Sequence, residues 1–301
     1  MSEPEALEEA VPEQGRNRFK ALLIIVGAMV ALLLLGILFA VAQFTLRSTQ
    51  DGTFATAEPV SKIEVDVDRG SVELASDRPR GAALTTRLEY FLRAPDLRAS
   101  EEGGVVDVGA DCDWPSDCEI DVQGRVERGA DVTIRTSSGR TAVVGSPGAV
   151  SIRTTDGAIL VEDAEGDVNV GSLSGALTVE RARRAVRAES RSGVVTVRDL
   201  AGPLRVRTLT GFVVGEALAS REAAVEVGSG RIELAYDRAP RRLEVDLSEG
   251  ILEVEVPRGR YRIDVDQALG DAEITGIEQD PDAERRLVLR VNQGNVTIRG
   301  V

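Results

Sequence analysis

Glycine recurs at a fixed interval along the second half of the chain, and this interval limits the fold more than any other feature of the sequence. Five glycines are evenly spaced, and the series continues at positions 230, 250, 270 and 294. A fixed period is the signature of a repeat architecture, in which each unit packs on its neighbours along one direction. The five evenly spaced turn glycines are Gly139, Gly157, Gly175, Gly193 and Gly211.

Apolar and polar residues alternate on both sides of each glycine. Val150, Ile152 and Thr154 precede Gly157 at every second position, and the alternation resumes shortly after it. A period of two indicates a strand with one buried face, and the glycine supplies the positive φ of a tight turn. One such unit cannot bury its own apolar face, so equivalent units should stack about 4.8 Å apart. We therefore predict an all-β fold, a β-solenoid of about nine two-strand coils with the glycines in a column.

The remaining sequence divides into four shorter segments. We predict a disordered cytoplasmic tail over residues 1–20, a transmembrane helix over 21–44, a linker over 45–60 and an irregular β cap over 61–122, followed by the repeats over 123–301. The cap segment matches the repeat once, between Ile63 and Leu74. A stack of repeats needs an atypical end unit because its terminal strand edge is otherwise open.

The segment from Ala21 to Phe44 contains no charged residue. It exceeds the roughly 7–15 apolar residues of a signal peptide and provides the about 20 that a bilayer-spanning helix needs. Basic residues at 16, 18 and 20 place the N-terminus in the cytoplasm and the repeats on the extracytoplasmic side of the cell membrane. A cleaved signal peptide is the alternative, since Ala40-Val41-Ala42 resembles a small-x-small cleavage site.

The composition argues against several kinds of site. The chain has no histidine, which removes Ser-His and Cys-His nucleophile pairs and imidazole metal ligands. Its formal charge of −14 disfavours nucleic-acid binding. Cys112 and Cys118 are the only cysteines, and a short-loop disulfide in an oxidising compartment fits them better than two free thiols. The acids around them lack the spacing of a calcium loop, so we predict no metal and no cofactor.

Three runs in the repeats resemble a known bacterial family. The runs Val-Thr-Ile-Arg-Thr-Ser-Ser-Gly (132–139), Val-Ser-Ile-Arg-Thr-Thr-Asp-Gly (150–157) and Leu-Arg-Val-Arg-Thr-Leu-Thr-Gly (204–211) resemble the putative-adhesin β-strand-repeat family, also called DUF4097. The resemblance covers roughly residues 60–301. It implies an envelope-associated protein that follows one membrane helix, and it brings no catalytic residues.

The outward positions of the two strands in each repeat form two candidate surfaces. Stacking of the first strands would gather a basic face from Arg135, Arg153, Arg187, Arg205 and Arg207. The planar guanidinium suits phosphate or carboxylate, so the predicted ligand is an anionic envelope polymer or lipid head group. The alternative is an ordinary solvated face in which neighbouring acids pair with the arginines. The second strand presents an apolar stripe that includes Val144, Leu160, Val194, Phe212 and Val214.

A monomer rarely leaves such a stripe open to water, so we expect it to be covered by this chain or by homo-oligomer formation. If the phase of the strands is right, Phe212 is exposed in the isolated stack. Thr136, Thr154, Ser172, Ser190 and Thr208 form a ladder of hydroxyls beside the turns, where they are expected to satisfy backbone groups.

These patterns favour a non-catalytic, membrane-anchored, extracytoplasmic binding or scaffold protein of the bacterial envelope. One alternative is a self-assembling scaffold or an envelope-stress sensor. A more remote alternative is a carbohydrate-active enzyme that uses paired carboxylates, for which Asp246 and Asp264 are the stacked candidates.

Overall fold

A computed structural model describes residues 25–37, 47–91, 94–110 and 118–301 of the chain. The chain consists of two compact units, Met1–Ser48 and Thr49–Val301. In the first unit the described helix covers residues 25–37, and the other parts of the predicted membrane segment lie outside the described residues. Among the described residues, no helix combines the length and the apolarity that a bilayer span requires.

The second unit consists almost entirely of β-structure, as predicted. The strands are β1 (Arg47–Thr56), β2 (Lys62–Arg69), β3 (Val72–Arg78), β4 (Ala82–Phe91), β5 (Leu97–Glu102), β6 (Val105–Ala110), β7 (Cys118–Glu127), β8 (Asp131–Ser138), β9 (Thr141–Gly145), β10 (Val150–Asp156), β11 (Ile159–Glu162), β12 (Val168–Glu180), β13 (Val186–Arg198), β14 (Leu204–Leu218), β15 (Glu222–Tyr236), β16 (Arg242–Val256), β17 (Arg260–Leu269), β18 (Ala272–Thr275), β19 (Glu278–Gln279) and β20 (Arg286–Gly300).

The repeats stack as parallel strands in the register that the glycine spacing predicts. Val150 lies beside Val132 on one side and beside Val168 on the other, so each neighbour is the equivalent residue of the adjoining repeat. The same offset continues from β12 through β13 to β14. Because every inward side chain packs on its own equivalent, the stack encloses a continuous apolar interior. The predicted stacking of consecutive repeats is confirmed.

The glycines form a column, and each one touches the backbone of the next. Gly157, Gly175 and Gly193 adopt positive φ angles of 147°, 125° and 136°. A Cβ added at Gly193 would lie 2.0 Å from the carbonyl oxygen of Gly175, which leaves no room for any side chain. From β12 to β16 the strand continues through its glycine, so the glycine bends one long strand where the sequence had predicted a turn between two short ones.

A second column of positive φ lies at another corner of the repeat. Asp163, Arg181, Asp199 and Ala217 have φ angles of 59°, 54°, 51° and 51°, and they recur at the same interval as the glycines. Left-handed backbone at non-glycine residues costs about 1–2 kcal/mol each. The sequence did not reveal this corner, because the residues there are not the glycines that usually mark such a conformation.

The hydroxyl ladder satisfies the backbone at the glycine bend, as expected. The Thr136, Thr154 and Ser172 hydroxyls each donate to the carbonyl oxygen two positions later, at 3.0, 3.1 and 2.6 Å. Ser190 and Thr208 make the equivalent bonds. The carbonyl oxygens of Ser138, Asp156 and Ser174 also accept the N–H of the repeat glycine in the adjoining strand, so the hydroxyl supplies the second hydrogen bond to each of them.

Spatial order and chain order differ at the C-terminal end, where Gly270 and Gly294 lie in the predicted column but in the reverse of the predicted order. Gly294 of β20 lies on Gly250, and Gly270, which directly follows β17, lies on Gly294, so the last strand is inserted between β16 and β17. The buried residues of β20 are apolar, whereas β17 places Gln267 at an inward position, beside the buried Val291 of β20. The more apolar strand takes the interior position, because a parallel strand inside a sheet is covered on both sides.

The opposite end carries the irregular strands. The first repeat-like pair, β2 and β3, lies between β8–β9 and β6–β7. Strand β7 crosses the boundary that the sequence placed at residue 122. Antiparallel β4 and β5 then cover β7 and β6, and β1 pairs with β4. The Glu127 carboxylate accepts hydrogen bonds from the backbone N–H groups of Val60 and Gly81, both at 2.8 Å, and these bonds hold its pKa below the usual range.

Cys118 is buried at the start of β7, and Cys112 lies outside the described residues, so the disulfide between them stays a prediction. The acids at 111, 113 and 117 also lie outside the described residues. Within the described ranges, no group of acids and cysteines lies close enough together to bind a metal ion.

Candidate functional site

The five arginines of the predicted basic face lie on the outer surface of the first strands, but carboxylates are placed among them. Arg187 pairs with Glu189 at 2.6 Å, and Arg207 pairs with Glu226 of the next strand at 2.7 Å. Such exposed pairs contribute only about 0–1 kcal/mol each. The surface is therefore a mixed one, in which some guanidiniums have an acidic neighbour and others do not.

The other three arginines have no acid at pairing distance among the described residues. The guanidinium groups of Arg153 and Arg205 make no hydrogen bond or ion pair within the part of the chain that the structure describes. The pKa of the Glu64 carboxyl is lowered mainly by its hydrogen bond and charge interaction with Lys62, and the more distant charge of Arg135 adds a smaller effect. Arg153 faces Gly171 in the adjoining strand, so no side chain there can neutralise its charge.

A concave groove of about 1120 Å³ runs along this surface, across the stack. Its walls come from neighbouring first strands, in the spatial order β10, β12, β13, β14, β15, β16, β20 and β17. At about 4.8 Å per strand the groove is about 34 Å long. Arg153 and Arg207 line it. Arg187 and Arg205 line two smaller depressions, one of which also includes Arg207, and Arg135 lines another together with Arg153.

The middle of the groove alternates between apolar and basic side chains. Leu173, Arg191 and Leu209 occupy one outward position of the consecutive strands β12, β13 and β14. Leu173 is 47% exposed and Leu209 is 61% exposed, which is unusual for leucines on an otherwise polar surface. Arg191 stands between the two leucines, and its guanidinium makes no hydrogen bond or ion pair with the described residues.

Gly171 leaves space beside this column. A Cβ at Gly171 would meet nothing nearer than the carbonyl oxygen of Glu189, at 3.8 Å. Gly228 extends the column beyond Leu209, but the space there is taken, since a Cβ at Gly228 would lie 2.5 Å from the carbonyl oxygen and 3.3 Å from Cδ1 of Leu209. The space beside the Arg153 guanidinium is therefore not filled by a side chain from its register partner in β12.

The far end of the groove is acidic and ion-paired. Asp246 accepts a hydrogen bond from the Arg290 guanidinium at 3.1 Å, and this bond raises the pKa of Arg290. Nearby, Asp264 pairs with Arg286 at 2.9 Å. The two carboxylates considered for a glycosidase are therefore each held by an arginine.

The residues of the predicted apolar stripe lie outward, as their phase requires, but they do not form an unbroken row. Phe212 is 53% exposed and Val194 is 39% exposed, and they are direct neighbours in the register. Leu160 and Val214 are half-buried and separated by threonines in the intervening strands. Val144 is half-buried in β9.

Leu173 and Leu209 are the residues that sequence reasoning missed. The sequence does mark them, because both stand at the outward position two residues before a repeat glycine, where other repeats carry Ser137, Arg191 or Gly228. Only the three-dimensional groove shows that the leucines and Arg191 share one wall.

The comparisons with known proteins give no family. No family model matches the chain, and no curated protein matches it. Solved structures similar to it include a putative adhesin from Parabacteroides merdae, at 11% identity over 83% of this chain and 96% of that chain, with a TM-score of 0.47. Another is a putative adhesin from Bacteroides fragilis, at 11% identity over 85% and 98%, with a TM-score of 0.38. A third is a putative lipid binding protein from Parabacteroides distasonis, at 12% identity over 85% and 97%, with a TM-score of 0.30.

Proposed function

We propose that this chain is a non-catalytic binding protein of the bacterial envelope, a β-solenoid whose groove holds an anionic amphiphile with the chemistry of a lipid head group. The observation that carries the proposal is the Leu173–Arg191–Leu209 column in the groove wall. A guanidinium binds phosphate or carboxylate through parallel hydrogen bonds. The exposed leucines on either side favour a ligand that also brings apolar surface, since a fully polar polymer would leave them in water.

The charge distribution supports one orientation of that ligand. Arg153 and Arg191 are without acidic partners among the described residues, so neither must give up an ion pair to bind an anion. At the other end, Asp246 and Asp266 line the groove and repel an anion. The anionic group therefore sits beside Arg153 and Arg191, where the neighbouring Glu189 carboxylate is already paired with Arg187, and the apolar part extends over Leu209.

The proposed location comes from the sequence. The uncharged stretch over residues 21–44 and the basic residues before it indicate a single membrane anchor, with the repeats on the extracytoplasmic side. In that position the groove would meet lipid or lipid-linked material of the envelope.

Vesicle capture tests the proposal. The full-length chain is held in nanodiscs of zwitterionic lipid, and its capture of vesicles that contain phosphatidylglycerol is compared with that of purely zwitterionic vesicles. We expect Arg191→Glu to lower the affinity about tenfold or more, because a charge-assisted hydrogen bond contributes about 1.5–3 kcal/mol. Arg238→Glu, an exposed charge reversal outside the groove, is the matched control and should have little effect.

Leu209→Ser distinguishes the amphiphile from a polymer. This variant should weaken vesicle capture and leave the weak binding of a soluble polyphosphate unchanged. Equal capture of both vesicle types by the wild-type chain would overturn the proposal. So would stronger binding of the polyphosphate than of the vesicles, which would indicate a wall polymer as the ligand.

A further inference from the structure

The C-terminal end of the stack leaves a strand edge open. Strand β17 pairs with β20 on one side, and β19 covers only Arg260 and Tyr261 on the other. The Arg262 N–H donates to the Arg285 carbonyl on the β20 side. Because the backbone groups of successive residues in a strand point to opposite sides, the N–H and C=O groups of Ile263, Val265 and Gln267 point away from β20. None of the described strands pairs with β17 from Arg262 onward on that outer side.

The interior of the stack is also exposed at this end. Ile263 and Val265 are only partly buried, whereas their register partners in β20, Leu287 and Leu289, are 0% exposed. Leu269 at the end of β17 is 64% exposed. The other end differs, because antiparallel strands cover it there. Open strand edges beside apolar surface are sites of strand addition.

The sequence of the edge is complementary to itself. In an antiparallel pair of two copies of β17 centred on Asp264, Ile263 lies opposite Val265 of the second copy and Arg262 lies opposite Asp266. Ile263 and Val265 have the outward backbone groups, so they form the hydrogen-bonded pairs. Opposite charges then face each other at both ends of the contact. The two Asp264 carboxylates meet at the axis, where Arg286 (2.9 Å) and Arg262 (3.5 Å) of each copy offset their repulsion.

We propose that β17 is a homodimerisation edge, on which a second copy of this chain adds antiparallel through residues 262–266. The contact is isologous, so it closes after two copies and does not build a fibre. The contact does not involve the Leu173–Arg191–Leu209 column, so the dimer can be tested independently of the proposed ligand.

Cysteine cross-linking in the full-length chain tests this dimer. Directly opposite, non-hydrogen-bonded residues have Cα atoms about 4.5 Å apart, so Asp264→Cys should form a disulfide with its own copy. Asp266→Cys is the matched control, since in this register it lies roughly 13 Å from its copy. We expect at least about ten times more cross-linked dimer for position 264, identified by mass spectrometry as a 264–264 peptide.

Charge exchange separates the edge from any other route to association. In the Asp264→Cys background, Arg262→Asp should reduce the cross-link about tenfold or more, and the additional change Asp266→Arg should restore it. Equal cross-linking at positions 264 and 266 would overturn the proposal, as would absence of a 264–264 peptide or failure of the double charge exchange to restore it.

Discussion

The glycine column makes a quantitative prediction about stability. At Gly193 the φ angle is +136°, and a Cβ would lie 2.0 Å from the Gly175 carbonyl oxygen. The backbone conformation alone costs a side-chain-bearing residue about 1–3 kcal/mol, and forcing extra atoms into a packed site typically costs about 1–3 kcal/mol more. Gly193→Ala should therefore lower the free energy of unfolding by about 2–6 kcal/mol.

Two other glycines divide this cost into its parts. Gly129 has a φ of +75° and open space where a Cβ would be, so Gly129→Ala should lose only about 1–2 kcal/mol. Gly171 has neither a positive φ nor a close neighbour, so Gly171→Ala should be neutral or slightly stabilising. The assay is equilibrium unfolding in urea, followed by circular dichroism. Equal losses at positions 193 and 129 would refute the contact between stacked glycines, and equal losses at all three would refute the whole reasoning.

Two further predictions concern the second corner and the end of the stack. Ala217 has a φ of 51°, so Ala217→Gly should raise the free energy of unfolding by up to about 1 kcal/mol. The control Ala176→Gly, in an extended strand, should lower it. The same urea assay checks both variants, and a lower free energy of unfolding for Ala217→Gly would contradict the left-handed corner. Because the pKa of Glu127 is lowered in the folded protein, its carboxylate stabilises the fold fully above about pH 4.3, and this stabilisation disappears as the pH falls through the folded-state pKa. Glu127→Gln should therefore be less stable at neutral pH, and its free energy of unfolding should fall less on acidification than that of the wild type. An unchanged pH dependence would contradict this.

Much of the fold follows from the sequence because the repeat and the alternation are strong, local signals. The even glycine spacing predicts which residues lie side by side, and the period of two predicts which of them face inward, including the exposure of Phe212. The corner at Arg181 and its equivalents was not predictable, since its left-handed backbone is carried by residues that rarely adopt it. The insertion of β20 was not predictable either, since both β17 and β20 match the repeat and only their relative burial decides the order.

The candidate site was predictable only in part. Spacing alone gathers Arg153 and Arg207 on one surface, but it does not show which arginines pair with an acid. That depends on side-chain conformation, because Arg187 turns along its own strand to Glu189, whereas Arg207 reaches across to Glu226 of the next strand. The groove also depends on the missing side chain at Gly171, where a Cβ would have no neighbour nearer than 3.8 Å.

The order of strands at the C-terminal end is the most direct test of the account. Asp246, Arg290 and Asp266 occupy one outward position of β16, β20 and β17, in that spatial order. Chain order would instead put β17 directly beside β16. The measurement is disulfide formation within one molecule, read as linked peptides by mass spectrometry. The structure predicts a rapid cross-link for Asp246→Cys with Arg290→Cys and none for Asp246→Cys with Asp266→Cys, about 9.6 Å apart at two strand spacings. The reverse result would contradict the stacking order from which the groove and the dimer edge both follow.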